Sequence, residues 1–405
     1  MKKIFFSFCL IFLSVFAFSQ WNDIHIGTDN YLRSVSFFNA DTGFVATYFG
    51  GSLNETTIYK TSDAGNSWTS KSFGPSLLLT SITFSDANTW YAAGSSGRIF
   101  KTTDFGNNWK ELSSGSRYDI YSIFFYNTNN GYACGGDERH SIILKTTNGG
   151  NTWTSQTIAT NYWLNSVYFT DINTGYVVGN GGNIFKTSDA GNTWSLLSSG
   201  SMAILNCVYF TNSNTGYTVG DSGIILKTTD AGTTWSELTS GTTSNLNSVC
   251  FTDTNVGYVV GYNGTILITT NGGTEWTKLP GGDNRSLYSV YFIDNNLGYI
   301  VGDLGKILKT TNGGGITLAE NINQSVSDIE IFPNPAIDKI TIVNKKTPEE
   351  THLSIFNIEG KLLMRKNYQN QNFIECNISD FQKGIYIVNI LSDNITEIKK
   401  LIIQN

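Results

Sequence analysis

Proline is scarce in this chain, with 5 in 405 residues. Proline removes a ladder donor and is confined to strand edges, so its scarcity leaves long stretches free to pair as sheet. Histidine is scarcer, at three: His25, His140 and His352. Only the first two precede residue 320, and two imidazoles cannot build a histidine-based metal centre. Charged residues make only 14% of the chain, and the formal net charge is −6. A mildly acidic protein has no electrostatic footprint for nucleic acid or an anionic membrane, so no nucleic-acid partner is expected. No cysteine pair stands at C-x-x-C spacing. Cys134, Cys207, Cys250 and Cys376 lie in apolar, strand-like contexts and read as buried thiols with no deducible pairing. Beyond the first twenty residues no apolar run approaches the ~20 needed to span a bilayer.

What the chain does have is aromatic side chains, at 13%, with much Thr and Val. These suit pleated, half-buried strands. It opens on "MKKIFFSFCLIFLSVFAFSQ". Two lysines precede a short apolar run, and Ala17 and Ser19 are small residues placed for cleavage before Gln20. Residues 1–19 therefore read as a secretory signal, and no membrane-spanning segment is expected after its removal. Loss of Lys2 and Lys3 takes the net charge from −6 to −8.

The nine residues "KTTDAGTTW" return in altered form along the chain. Their tryptophans, Trp68, Trp109, Trp153, Trp194, Trp235 and Trp276, are spaced 41, 44, 41, 41 and 41. A Gly-aromatic pair, as in Gly175-Tyr176 and Gly257-Tyr258, keeps the same period and brings the count of units to seven. One unit reads "LNSVCFTD", "GYVVG", "NGTILITT", "EWTKL", with turn residues between. Four short strands per ~40 residues is the pattern of a β-propeller blade. The seventh unit stops at "KTTNGGGIT" without a fourth strand. The mature N-terminus, "QWNDIHIGT", aligns with "TWSELTSGT" of the fifth unit. The expectation is an all-β, seven-bladed propeller over 20–317, closed by the N-terminal strand supplying what the last blade lacks.

The repeat's acidic position is held by Asp63, Asp104, Asp189 and Asp230, but equally by Asn148, Asn271 and Asn312. Aspartate and asparagine share a side-chain acceptor and differ in charge and basicity. A role that tolerates both is the pinning of a turn, with catalysis and metal binding set aside. The glycine two positions on supplies φ > 0, and the tryptophan buries its ring. "TSDAGNTW" resembles the Asp-box of neuraminidases, and the whole unit is similar to the propeller repeats of photosystem II assembly factors. This resemblance covers nearly all of residues 21–317. It implies the fold and carries no photosynthetic role by itself. Sialidases with Asp-boxes use an arginine triad. The five arginines of residues 20–317, Arg33, Arg98, Arg117, Arg139 and Arg285, stand at dissimilar places in their units, and no triad is assignable.

Other chemistries are weak. No G-x-S-x-G elbow stands between a strand and a helix. "GNGG" and "GDSG" link two strands, whereas phosphate cradles need a following helix. "GGDERHS" places Asp137, Glu138 and His140 close together, but reads as a solvated loop. No cofactor and no catalytic residue is expected. The two enlarged loops between second and third strands, "TYFGGSLNETT" and "GGDERHSI", emerge on one face with the loops between units. That face carries Arg117, Tyr118, Tyr162, Trp163 and Arg285 as candidate anchors for an extracellular protein or glycan. The alternative is a glycan-cleaving, sialidase-like hydrolase.

After a polar linker over 318–328, charge density rises: residues 320–405 carry 20 charges, against 36 in 20–319. Alternation in "IEIFPNPAIDKITI", "LSIFNIEGKLLMRKNY" and "FQKGIYIVNIL" gives strands of a small Ig-like β-sandwich over 329–405. The tail resembles the C-terminal sorting domain of type IX secretion. The motif residues are Pro333, Asn334 and Pro335, then Gly360 and Lys361 in the "NIEGK" turn, Gly384, Tyr386, and the terminal Lys399 and Lys400. The resemblance implies a partner in the type IX secretion machinery and a secreted or outer-cell-surface location.

Overall fold

The computed structural model describes residues 21–404 apart from 49–54, 76, 157, 159, 161, 281–282, 315–328, 346, 349, 358–361 and 393–394. The signal over 1–19, the linker over 318–328, Gly360 and Lys361 lie outside the described residues. The chain divides into two compact units, Met1–Ile316 and Thr317–Asn405.

The first unit is all-β, with seven four-stranded antiparallel sheets and no α-helix among the described residues. Sheets 1 to 7 open on the strands Leu32–Phe37, Leu79–Phe84, Ile120–Phe125, Leu164–Phe169, Leu205–Phe210, Leu246–Phe251 and Leu287–Phe292. Sheets 1 to 6 are built from four consecutive strands. Sheet 7 takes its fourth strand from the start of the chain, where Asn22, Asp23 and Ile24 pair with Lys309, Leu308 and Ile307. Each sheet's first strand packs on that of the next, and that of sheet 7 packs on that of sheet 1.

The repeat's fixed residues make the contacts between sheets. Each Gly-Tyr tyrosine lies flat on a phenylalanine of the following sheet, as Tyr132 does on Phe169 at 3.7 Å and Tyr176 on Phe210 at 4.0 Å. The following sheet's tryptophan meets that phenylalanine edge-on, as with Trp194 on Phe169 and Trp235 on Phe210. The tyrosine hydroxyl then donates to a turn carbonyl of the next sheet. Tyr176 donates to Ala231 at 2.9 Å, and Tyr299 of sheet 7 to Ala64 of sheet 1 at 2.7 Å. Buried hydroxyls keep a partner while their rings remove apolar area from water. Leu32, Val35, Phe37 and Val45 share one core cluster with Tyr299, Val301 and Ile307, so sheets 1 and 7 bury a common core.

The second unit has a three-stranded sheet and a four-stranded sheet. Ile340, Ile342 and Ile374 of one face Leu353, Val388 and Ile390 of the other in a single core. The alternation in Gly384–Ser392 buries Tyr386, Val388 and Ile390 and leaves Ile385, Ile387 and Leu391 outside. The amide of Ile402 donates to Asn334 Oδ1 at 2.9 Å, and Ala336 bridges in parallel to Ile403. The proline-flanked motif is thereby tied to the last strand. Lys399 and Lys400 lie in that strand, opposite Val388 and Ile387, and Tyr386 donates to the Gln382 carbonyl.

Candidate binding face and axial cavity

The turn of the recurrent motif is held by its own side chains. In sheet 4, Asp189 Oδ1 accepts from the Thr187 hydroxyl and the Thr193 amide, and Oδ2 accepts from the Thr193 hydroxyl at 2.7 Å. Asp63 and Asp230 do the same in their sheets, and Asp104 differs only in that its Oδ2 accepts from the Asn108 side-chain amide. Asn148 keeps both Oδ1 bonds and turns the last one round, its Nδ2 donating to the Thr152 hydroxyl at 2.8 Å. A hydroxyl can donate or accept, so one geometry serves both residue types. Asn271 and Asn312 also accept from their threonines at 3.0 Å. Backbone and side-chain donors from the residue four on, a hydroxyl at Thr193 and an amide at Asn108, hold Asp189 and Asp104 at about 2, below the usual carboxylate range.

The opposite end of each sheet carries a second shared feature. Every first strand begins with the triplet Leu/Ile-x-Ser/Cys, and in all seven sheets the register shifts there. In sheet 4, Leu164 faces Gly179 while Ser166 faces Val178, so Asn165 is an extra residue. Such a bulge re-aims the unpaired side chain. Gly179 is required by close approach: a Cβ there would sit 2.0 Å from the Trp163 carbonyl. The third residue of the triplet links neighbours. Ser34, Ser81, Ser122, Ser166, Ser248 and Ser289 each accept from a backbone amide of the next sheet, at 3.1–3.3 Å. The last of these, Val35 N to Ser289 Oγ, joins sheet 1 to sheet 7. Sheet 5 has Cys207 instead, its sulfur 4.0 Å from the Val249 carbonyl.

The bulged residues Arg33, Thr80, Tyr121, Asn165, Asn206, Asn247 and Tyr288 converge, although they come from seven sheets. Together with neighbouring serines and Cys207 they line one cavity of about 160 Å³. Thr80, Asn165, Asn206 and Asn247 donate to the first-residue carbonyl of the following sheet. Arg33, Tyr121 and Tyr288 break the pattern. The Arg33 guanidinium lies 4.6 Å from the Tyr288 ring centre and 5.8 Å from that of Tyr48. The Tyr288 hydroxyl donates to Asp303 Oδ1 at 2.7 Å.

The candidate anchors fall into two places. Tyr118 stacks on His140 at 4.7 Å, and the Arg117 guanidinium sits 5.3 Å from the Tyr118 ring centre. Ser141 bonds the Tyr162 carbonyl. Trp163 approaches Tyr121 at 6.0 Å, which brings this group to the cavity. Tyr162 is 54% exposed. Arg285 stands elsewhere, its guanidinium bound to Asp283 at 2.6 Å and to Asp23 at 3.5 Å. Lys306, 4% exposed, completes that cluster with Asp23 and Asp283. Arg285 is therefore occupied in holding the N-terminal strand to a loop, which the sequence does not show. His140 Nδ1 pairs with Asp137 Oδ1 at 2.8 Å, and among the described residues no three His, Cys, Asp or Glu side chains gather as a metal site. Arg33, Tyr121 and Tyr288 were missed from sequence. Their one mark is variation at the middle position between fixed neighbours.

Sheets of this size, stacked in sequence with a polar cavity where their first strands meet, define the propeller class of repeat protein. A family model for photosynthesis system II assembly factor YCF48 matches residues 13–118, 116–202, 145–242, 192–285 and 236–327. The chain belongs to that family, and its end matches the secretion system C-terminal sorting domain over residues 330–404. No curated protein matches. Among solved structures, YCF48 bound to a D1 peptide is similar at TM-score 0.62 and 17% identity, over 73% of this chain and 98% of that one. YCF48 from Cyanidioschyzon merolae gives 0.60 and 16%, over 72% and 98%. PorZ, described as an essential surface component of the type IX secretion system of Porphyromonas gingivalis, gives 0.54 and 14%, over 91% of this chain and 59% of that one.

Proposed function

We propose that this is an exported binding protein: a closed seven-bladed propeller, delivered by its Ig-like sorting domain through type IX secretion to the outer surface or medium. It recognises an extracellular polypeptide or glycan without catalysis. The face around the cavity, with Arg117, Tyr118, Tyr162 and Trp163 beside Tyr121, is the binding surface. The observation that carries this reading is the gathering of the exposed Tyr162 and the half-buried Tyr118 and Trp163 beside a polar cavity at one end of the first strands. A related propeller was solved with a peptide bound, which supports the class of task but not the ligand. The ring's closure is supported by the Val35–Ser289 and Tyr299–Ala64 hydrogen bonds.

The hydrolase alternative needs three converging arginines. Arg33 alone lines the cavity, Arg98 pairs with Glu111, and Arg285 is bound to Asp283. Glycan and peptide arrays probed with the full chain test the reading. Capture of at least one ligand is expected, with binding weakened about tenfold or more by Tyr162→Ala plus Arg117→Ala. An array with no captured ligand, or a ligand indifferent to both substitutions, removes the binding face.

A further inference from the structure

Among the described residues Arg33 is the only cation lining the axial cavity, and it makes no hydrogen bond or ion pair to any of them. Its contacts are the faces of Tyr288 and Tyr48. A partly buried guanidinium is usually matched by a carboxylate, because its five donors lose water when covered. The nearby carboxylates are committed elsewhere: Asp303 accepts from Tyr288 and from the Ser286 amide, and Asp221 from Asn206. Opposite Arg33, the amides of Asn165 and Asn206 each spend Nδ2 on two protein acceptors, and Asn247 on one. Their three Oδ1 atoms receive no hydrogen bond from any described residue. The cavity thus offers one unpaired cation on one side and a row of acceptors on the other. The Tyr121 hydroxyl, whose pKa burial pushes up to about 12, has no hydrogen-bond partner among the described residues either.

We infer that the axial cavity is a subsite for an acidic monosaccharide unit, its carboxylate on the Arg33 guanidinium and its hydroxyls donating to the amide oxygens of Asn165, Asn206 and Asn247. The proposal rests on the binding-face reading above and names the ligand class at its centre. Size agrees: about 160 Å³ is roughly half the lower bound of ~300 Å³ for drug-sized pockets, and suits a single ring. Several free acceptors call for several donors at once. A sugar carries them as adjacent hydroxyls, whereas a peptide terminus brings a carboxylate with one N–H.

The test titrates the full chain with glucuronate, glucose and an N-acetylated amino acid, followed by ligand-observed NMR. Glucuronate is expected to bind in the millimolar range and glucose at least about tenfold more weakly, the difference a charge-assisted bond makes. Arg33→Gln should lose about tenfold or more for glucuronate at an unchanged melting temperature, and Arg33→Lys, which keeps charge but not the fork, should fall between. Equal binding of glucuronate and glucose, binding of the N-acetylated amino acid alone, absence of binding, or wild-type affinity in Arg33→Gln overturns the assignment. Should Arg33→Gln lose its melting transition, Arg33→Lys decides. A ligand captured on the arrays and still bound by Arg33→Gln leaves the binding face standing and removes only the subsite.

Discussion

The indole of Trp21 meets the ring of Phe292 edge-on, at 5.9 Å and 85°. The same edge-on contact joins Trp194 to Phe169 and Trp276 to Phe251 within their sheets. The first described residue of the chain thus fills the tryptophan place of the last sheet, 5% exposed.

Trp21→Ala should therefore act on the whole first unit. Loss of a buried indole costs about 3–5 kcal/mol where the site cannot collapse. Denaturant unfolding followed by tryptophan fluorescence should show the midpoint lowered with the slope kept. An unchanged midpoint would mean that the N-terminal strand adds nothing to the stability of sheet 7.

Cys207 interrupts a series of serines that accept amides from the next sheet. Cys207→Ser restores a strong acceptor beside Val249 and should raise stability by about 0.5–1.5 kcal/mol, while Ser248→Ala should lower it by a similar amount. Thermal melts of the two variants in opposite directions are the expected result. Destabilisation by Cys207→Ser would show that packing of the sulfur outweighs the missing bond.

Asp104, Asp189 and Asp230 sit at about 2 in the folded chain, against about 3.9 when unfolded. A depressed folded value contributes stability above the unfolded value and loses it as pH falls toward 2. Replacing all three with Asn, the residue at 148, 271 and 312, keeps the turn's acceptor and removes its titration. The triple variant should match the native melting temperature near neutral pH and fall less steeply between pH ~4 and ~2. A steep fall in both proteins at the same rate would assign acid sensitivity elsewhere.

Lys306 is buried between Asp23 at 2.5 Å and Asp283 at 3.2 Å. Removing this cation leaves the two carboxylates sharing only the Arg285 guanidinium. Their side chains are 32% and 40% exposed, so the effect is discounted to about 1–3 kcal/mol for Lys306→Met. Adding Asp23→Asn should recover part of it. A double variant no more stable than the single one would deny the coupling.

In the second unit, Asn334→Ala removes the acceptor of the Ile402 amide. The expected cost is about 1 kcal/mol, read as faster hydrogen exchange at Ile402 and reduced export in a type IX-competent host. Unchanged exchange at that amide would detach the proline-flanked motif from the final strand.

Much of the fold was legible because the repeat states its own period. Asp189 and Asn148 share an acceptor role, visible from their interchange, because a turn is decided within five residues. The place of Trp21 was legible by alignment with Trp235. The Tyr–Phe stacks between sheets were not, although both residues recur, because a period says nothing about which neighbour a ring touches. Nor was the bulge at Asn165 or Arg33, since a two-against-one register depends on the partner strand and on the close approach at Gly179.

Amino-acid order alone determined the strands, the turns, the number of units and the tail's family likeness, all properties settled by short-range pattern. Tertiary structure alone decided which residues form a site. Arg33, Tyr121 and Tyr288 belong to different sheets and meet only when seven bulges turn toward one cavity. Arg285, by contrast, is held in an ion-pair cluster by Asp283, two residues back, and by Asp23 from the far end of the chain. Local geometry follows from neighbours along the chain, whereas convergence and charge pairing depend on distances that exist only after the sheets have packed.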